Sequence, residues 1–408
     1  MSTRFRKVTF TNSQGERLAA RLDFPADGVP IAYAVFAHCF TCNKNLRAVG
    51  NISSALNQEG IAVLRFDFTG LGESEGDFAD TNFSSNIQDL VSAGKYLAET
   101  YAPPTILVGH SLGGAAVLQA AHELSSVKAV ATIGAPYDPQ HVEHLLGTAK
   151  AQVLTDGEAT IRLAGRPFRI KRQFLEDLES QRVQHKIRTL NRALLIFHSP
   201  TDDTVEVENA KLIYNAARHP KSFISLDEAD HLLTRPADSR YVGSVLAAWA
   251  RKYIGVPQER RKHVAPDDNV VVTRIGREKY RTEILANGFP LIADEPESVG
   301  GADLGPTPYD LLLASLGTCT AMTLRMYADH KGWDLNNVTV RLHHEKIHAN
   351  DSSSSKSGKI DLINRVLTLD GNLDAAQRQR LLQIADRCPV HRTLTEGHVQ
   401  VETKLDSA

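Results

Sequence analysis

The stretch "VGHSLGGAAVLQAA", residues 108–121, sets Ser111 between Gly109 and Gly113 where an apolar run gives way to an alanine-rich one. A serine hydroxyl is a weak nucleophile until a base takes its proton and its geometry exposes it. G-x-S-x-G meets the second need, because a sharp strand-to-helix turn lifts the hydroxyl clear of the sheet. Side chains at Gly109 and Gly113 would collide across such a turn. The N–H of Leu112, at the start of the helix, is then available to a developing oxyanion.

A base and an acid are expected downstream, the acid before the histidine. "LLIFHSPTDDTVEVENA" closes one apolar run with Asp202 and Asp203, and "SLDEADHLLTRP" closes the next with His231. Asp202 is preferred, since Asp-x-x-Val places it on the loop before Val205 enters a helix; Asp203 remains the alternative. Of 16 histidines, His231 is the one that ends the final apolar run after "DEAD". The second oxyanion donor is expected from "FAHCFTCNKN", residues 36–45, with the N–H of Phe40. Cys39 and Cys42 in that loop read as packing residues. No second ligand pair nearby argues for zinc, and no thioredoxin-like setting argues for redox exchange. Ser111, His231 and Asp202 together imply acyl transfer through a covalent intermediate.

These side chains need a rigid frame. From residue 5 to 256, short β-branched or aromatic runs ("IAYAVFAH", "GIAVLRFDF", "TILVGH", "VKAVATIGAP", "RALLIFHSP", "KSFISLDEADH") alternate with segments of helical spacing. Alternation of this kind builds a doubly wound, mostly parallel sheet with its sites at the carboxyl ends of the strands. Residues 138–190 interrupt it with charged helical stretches around a hairpin, "ATIRLAGRPFRI", and read as a small cap. "GVPQERRKHVAPDD" has linker composition, so the domains are expected at 1–256 and 269–408, joined by 257–268. The second domain segregates its strands and helices, which is α+β organisation.

Its chemistry rests on two cysteines. Cys319 lies in "ASLGTCTAMTLRM", where helical spacing puts Leu312, Ser315, Leu316, Cys319, Met322 and Met326 on one stripe. Alone, that describes an inert core thiol. Cys388 ends a helix in "LLQIADRCPVHRTL". "LHHEKIH" carries His343, His344 and His348, but with no carboxylate or cysteine to complete a shell it reads as a solvated strand face.

Composition bounds the partners. With 46 basic against 48 acidic side chains, the chain offers no electrostatic case for nucleic acid. No apolar stretch is read as a membrane span, no secretion signal is read at the start, and a reducing cytoplasm is expected. No cofactor and no metal are expected.

The segments "HCF", "RFDFTGLGESEG" (65–76), "GHSLGG", "SPTDDTV" and "ADH" give residues 5–256 a resemblance to the α/β-hydrolase superfamily. The likeness is to its small-capped esterase, lipase and aminopeptidase-like branch. The resemblance implies the α/β hydrolase fold and a small-molecule acyl substrate. Many relatives have His-Gly where this chain has His38-Cys39, and cysteine does not take positive φ cheaply, so this loop is expected to differ.

Residues 265–408, with "ADEPESVGGADLGPTPYDLLLASLGTC" and "CPVHRTL", resemble the osmotically induced and organic-hydroperoxide-resistance (OsmC-like) proteins. That resemblance implies a peroxidatic Cys319, a resolving Cys388, an organic hydroperoxide, a dithiol reductant and a homodimer. It also implies an arginine on the first hairpin beside the thiol, best matched by Arg277, with Arg274 and Arg281 as rivals. The family's peroxidases carry a glutamate ten residues before the thiol; here Tyr309 stands there, with Glu295 as a substitute. The first reading is therefore a serine hydrolase fused to a thiol peroxidase. The second keeps the hydrolase and makes the C-terminal half a dimerisation or redox-sensing module without turnover. A third, a ligand receptor on a hydrolase scaffold, sits poorly with an intact Ser111, Asp202 and His231.

Overall fold

The computed structural model describes residues 5–39, 42–147, 149–163, 166–181, 183–254, 271–276, 279–348, 359–397 and 399–405. The chain divides into two compact units, residues 1–273 with 284–291, and residues 274–283 with 292–408. The expected linker, 257–268, lies outside the described residues.

The first unit is built on an eight-stranded sheet. Its strands are β1 (Phe5–Thr11), β2 (Arg17–Asp23), β3 (Ala32–Ala37), β4 (Ile61–Phe66), β5 (Ile106–His110), β6 (Ala129–Ile133), β9 (Ala193–His198) and β10 (Lys221–Ser225). They lie in the order β1-β2-β4-β3-β5-β6-β9-β10. Pairs from β4 onward are parallel, whereas β1–β2 and β2–β4 are antiparallel. The apolar runs behave as their pattern predicts: β4, β5, β6 and β9 are buried at every position. Successive side chains point to opposite faces. Val35 and Ala37 accordingly join one core, with helices Phe83–Thr100 and Leu112–Ala120, while Ala34 and Phe36 join the other, with Arg47–Gln58 and Pro236–Ile254.

Strand β2 was not picked out of the sequence. Its signal is the polar turn "NSQG" between two alternating runs, with Gly15 at φ 91°.

The insertion between β6 and β9 contains the expected hairpin, β7 (Glu158–Leu163) with β8 (Arg166–Lys171), antiparallel. Phe168 and Phe174 anchor it in the first core, with the Phe168 ring 5.4 Å from Phe78. The carboxylate of Asp177 accepts from the N–H and hydroxyl of Ser84, tying helix Arg172–Ser180 to helix Phe83–Thr100.

Further along the chain, β11 (Val271–Ile275), β12 (Thr282–Ala286) and β13 (Phe289–Ala293) form a three-stranded sheet. In the second unit β14 (Asp334–His348) pairs antiparallel with β15 (Lys359–Asn372). Helix Pro308–Lys331 starts on a Thr307–Asp310 capping box with Pro308 in its first turn, and stops at Gly332 with φ 64°. It packs on β14 and on helix Ala375–Ala385. By length and composition this helix alone among the described residues could cross a membrane, a criterion that core helices also meet, and no clear membrane span is present. The buried stripe also differs from the one expected. Leu316, Thr320, Leu324 and Ala328 face inward, whereas Ser315, Met322 and Met326 are exposed and Cys319 is half-buried. The expected stripe followed the apolar residues; the buried one faces Leu335, Leu381, Ile384, Ala385 and Cys388.

Candidate active site

Ser111 sits at φ 55° and ψ −125°, a conformation L-residues avoid, and the helix Leu112–Ala120 starts directly after it. The surroundings hold this strain in place. The Ser111 N–H donates to the Ile133 carbonyl at 2.9 Å, and its carbonyl accepts from Gly114 at 2.8 Å. A Cβ on Gly109 would lie 2.2 Å from the Gly113 oxygen, and one on Gly113 would lie 2.5 Å from the Ala37 oxygen. Both glycines are therefore required by close approach. The Ser111 side chain does not cap its helix. Leu112 is the first helical residue, so its N–H has no acceptor within the helix.

Asp202 and His231 come together from consecutive strand ends. His231 Nδ1 lies 2.8 Å from Asp202 Oδ2. A carboxylate only accepts, so Nδ1 carries the proton and Nε2 is left as the base. The other Asp202 oxygen accepts from the N–H groups of Thr204 and Val205, each at 2.9 Å. Burial alone would raise the Asp202 carboxyl; the His231 bond and charge, with these two N–H donors, outweigh it and hold the group below its ordinary value. Asp203 is exposed and, among the described residues, accepts only from the Thr204 hydroxyl, at 3.1 Å.

Next to Ile133, Gly134 has φ 53°, and a Cβ there would meet Asp202 Oδ2 at 3.2 Å and His231 Nδ1 at 3.3 Å. The main chain bonded to Ser111 thus runs straight into the acid and base. Among the described residues no hydrogen bond joins the Ser111 hydroxyl to the His231 ring, as is common before substrate binds.

Two further groups were not anticipated. His110, one residue before Ser111, is buried, and its Nε2–H donates to the His231 carbonyl at 2.7 Å. Burial, then the nearby His231, pushes its pKa down to about 3, so it is neutral. The second group is a buried ion network behind the loop after β3. The Lys44 ammonium lies 2.5 Å from Asp67 Oδ2 and 2.7 Å from Glu73. The Lys44 N–H donates to Asp67 Oδ1 at 2.7 Å, and Arg65 donates to the Lys44 carbonyl at 2.9 Å. The loop's far end is thereby fastened to the end of β4.

In that loop Cys39 is bonded to Cys42 as a disulfide, so the two are covalently paired rather than merely packed. Cys39 is absent from the positive-φ positions, so the loop takes an ordinary backbone there. Phe40, the expected second oxyanion donor, lies outside the described residues.

In the second unit Cys319 and Cys388 are both free thiols. Cys388 is fully buried; its Sγ accepts from the His391 N–H at 3.3 Å and lies 3.6 Å from the hydroxyl of Thr320, the residue after Cys319. Arg365 donates to the Thr320 hydroxyl at 3.0 Å and pairs with Asp386 at 2.6 Å. Arg277 lies outside the described residues, and its rivals Arg274 and Arg281 both pair with Glu283, at 2.7 and 3.2 Å.

Tyr309 stacks on His344, with centroids 4.4 Å apart. His344 also bonds Asp361 at 2.8 Å, so a carboxylate absent from the local sequence does reach this histidine from β15. Glu295 uses its N–H on Asp294, whose buried carboxylate also accepts from Ala302 and Leu304 and so shapes the loop.

A mostly parallel sheet with a strained serine after β5 and a paired Asp–His after β9 and β10 is the architecture of a hydrolase. The alpha/beta hydrolase family profile matches residues 34–288, and the chain belongs to that family. The OsmC-like protein profile matches residues 300–404, so an OsmC-like domain follows in the C-terminal region.

The crystal structure of the esterase domain from a Rhodothermus marinus protein is 58% identical. It covers 62% of this chain and 100% of its own, with a TM-score of 0.53. The mouse mitochondrial palmitoyl-protein thioesterase ABHD10 is 26% identical over 213 residues, 50% of this chain and 70% of the mouse protein. YfhR of Escherichia coli K12 is 23% identical over 232 residues, 55% of this chain and 72% of YfhR.

Proposed function

We propose that the N-terminal part is a serine hydrolase for carboxylic esters or thioesters, with Ser111 as nucleophile, His231 as base and Asp202 as its orienting acid. The carrying observation is the 2.8 Å His231–Asp202 bond beside a serine held at positive φ. Ser111 Oγ attacks the acyl carbon while His231 Nε2 takes its proton. The Leu112 N–H, with that of Phe40, receives the oxyanion, each donor contributing about 3 kcal/mol. The leaving alcohol or thiol departs with the proton from His231, and water, deprotonated by the same nitrogen, releases the acid. The esterase and thioesterase relatives support this substrate class.

The test is labelling by a fluorophosphonate and hydrolysis of nitrophenyl esters and acyl thioesters. Both are expected in the full chain and neither in Ser111→Ala. Labelling that survives in Ser111→Ala overturns the assignment.

For the C-terminal part, in a division at 257–268, the proposal is thiol-dependent reduction of organic hydroperoxides. The Cys319 thiolate attacks the distal peroxide oxygen, giving a sulfenic acid and an alcohol. Cys388 condenses with it, releasing water, and a dithiol returns the disulfide to two thiols. A homodimer through this part belongs to the proposal, and the exposed Met322 and Met326 support it as apolar surface in need of cover. One observation favours the second reading, a redox-sensing or dimerisation module: Tyr309 stacks on His344 where a peroxidase would present a carboxylate. Cumene hydroperoxide consumption with a dithiol, lost in Cys319→Ser, distinguishes turnover from sensing. Oxidation of Cys319 without turnover supports the sensor.

A further inference from the structure

We infer that Cys39, Cys42 and His110 form a soft-metal site of the Cys2His type, open to Zn2+ when the Cys39–Cys42 pair is reduced. The C-x-x-C segment alone lacked a further ligand. The fold supplies one, because the loop after β3 lies against the end of the adjacent strand β5, where His110 stands. One ligand atom from each of the three residues lies within 4.8 Å of the others. Around tetrahedral zinc, with bonds of about 2.3 Å to sulfur and about 2.0 Å to nitrogen, such atoms sit about 3.5–3.8 Å apart. Opening the disulfide therefore needs only a small displacement of the sulfurs to create the site.

The surroundings suit a metal. His110 already donates Nε2–H to the His231 carbonyl at 2.7 Å, which leaves Nδ1 with the lone pair. A carbonyl bonded to the far nitrogen is the usual support of a metal-bound imidazole. A turn from the Cys42 N–H to the Cys39 carbonyl, 3.1 Å, keeps the two sulfurs on one side. Cys39 and His110 are buried and Cys42 is half-buried, so a metal would enter from the Cys42 side. Thiolate with imidazole selects zinc or copper(I) over calcium or magnesium.

The chemistry balances. A dithiol reduces the Cys39–Cys42 disulfide, taking over the disulfide bond and leaving two thiols. Zn2+ then replaces the two thiol protons and accepts the His110 lone pair. The site is independent of the acyl-transfer reading, although a ligand from the residue before Ser111 would place the metal behind the nucleophile's turn.

The experiment uses the full chain in a Cys319→Ser/Cys388→Ser background, reduced with a phosphine under nitrogen and titrated with Zn2+ against a chromophoric chelator. One equivalent is expected to bind, with near-ultraviolet thiolate-to-metal absorption when Co2+ replaces zinc. Oxidised chain is expected to bind none. Adding Cys42→Ser, and separately His110→Asn, is expected to weaken binding about 100-fold or more. No bound equivalent, or binding unchanged by Cys42→Ser, overturns the site. Fluorophosphonate labelling of the metal-free chain is read in parallel, so a failure of acyl transfer is scored separately.

Discussion

Nε2 of His110 donates to the main-chain oxygen of His231 at 2.7 Å, and the two rings lie 5.0 Å apart. The residue before the candidate nucleophile thus holds the backbone of the candidate base. His110→Phe removes the donor and leaves the His231 carbonyl without that bond. Ester hydrolysis by this variant is expected to lose kcat by about 10- to 100-fold with KM nearly unchanged, because the base moves while the acyl pocket stays. A loss confined to KM would count against this positioning role.

The two adjacent aspartates are expected to behave oppositely. Asp202→Asn removes the acceptor that fixes the His231 tautomer and is expected to lower kcat by about 10^4-fold. Asp203→Asn, at an exposed side chain bonded to the Thr204 hydroxyl, is expected to change kcat by less than about two-fold. Steady-state kinetics of the two variants decides between them.

Gly109→Ala would set a methyl 2.2 Å from a backbone oxygen that cannot retreat without opening the turn. A destabilisation of about 3 kcal/mol or more is expected, read as a shifted urea midpoint.

Lys44→Met leaves the buried Asp67 carboxylate without its cation. Breaking such a pair costs about 3–5 kcal/mol. The same change frees the loop that leads to the expected oxyanion donor, so kcat is expected to fall in the folded fraction. Lys44→Met with unchanged stability and unchanged kcat would refute the fastening role of this network.

His198 is fully buried, its Nε2–H bonded to the Val205 carbonyl at 2.7 Å, and burial lowers its pKa from the ordinary value. Below about pH 6.5 the unfolded chain binds a proton that the folded chain refuses, so stability falls as the pH drops through that window. Asp202 acts in the same direction at lower pH. Its folded pKa is depressed, so its stabilisation is present above the unfolded pKa and is lost as the pH falls through the folded one. Denaturant melts from pH 8 to 5 are expected to show a slope that is reduced in His198→Gln.

Much of the frame was legible in one dimension. Parallel strands buried on both faces leave continuous apolar runs, and β3, β4, β5, β6 and β9 fall within the expected segments. The hairpin within 158–171 and the long helix from Pro308 were legible because turn and capping residues act locally. Strand β2 was less so, since its alternating pattern merges with that of β1. The buried face of helix Pro308–Lys331 was misjudged, because apolar spacing marks surfaces that want cover and not the neighbour that provides it.

Taken alone, the order of residues determined the turn at Ser111: glycine at 109 and 113 is a steric demand that acts over four residues. It also nominated Asp202 and His231, since each ends an apolar run. Only the tertiary structure decided that His110 reaches both the His231 carbonyl and the neighbourhood of Cys39 and Cys42, that Lys44 is buried against Asp67, and that Tyr309 lies on His344. Those pairings join residues from different strands and loops. Their contact is set by sheet order and helix packing, which no local pattern of side chains encodes.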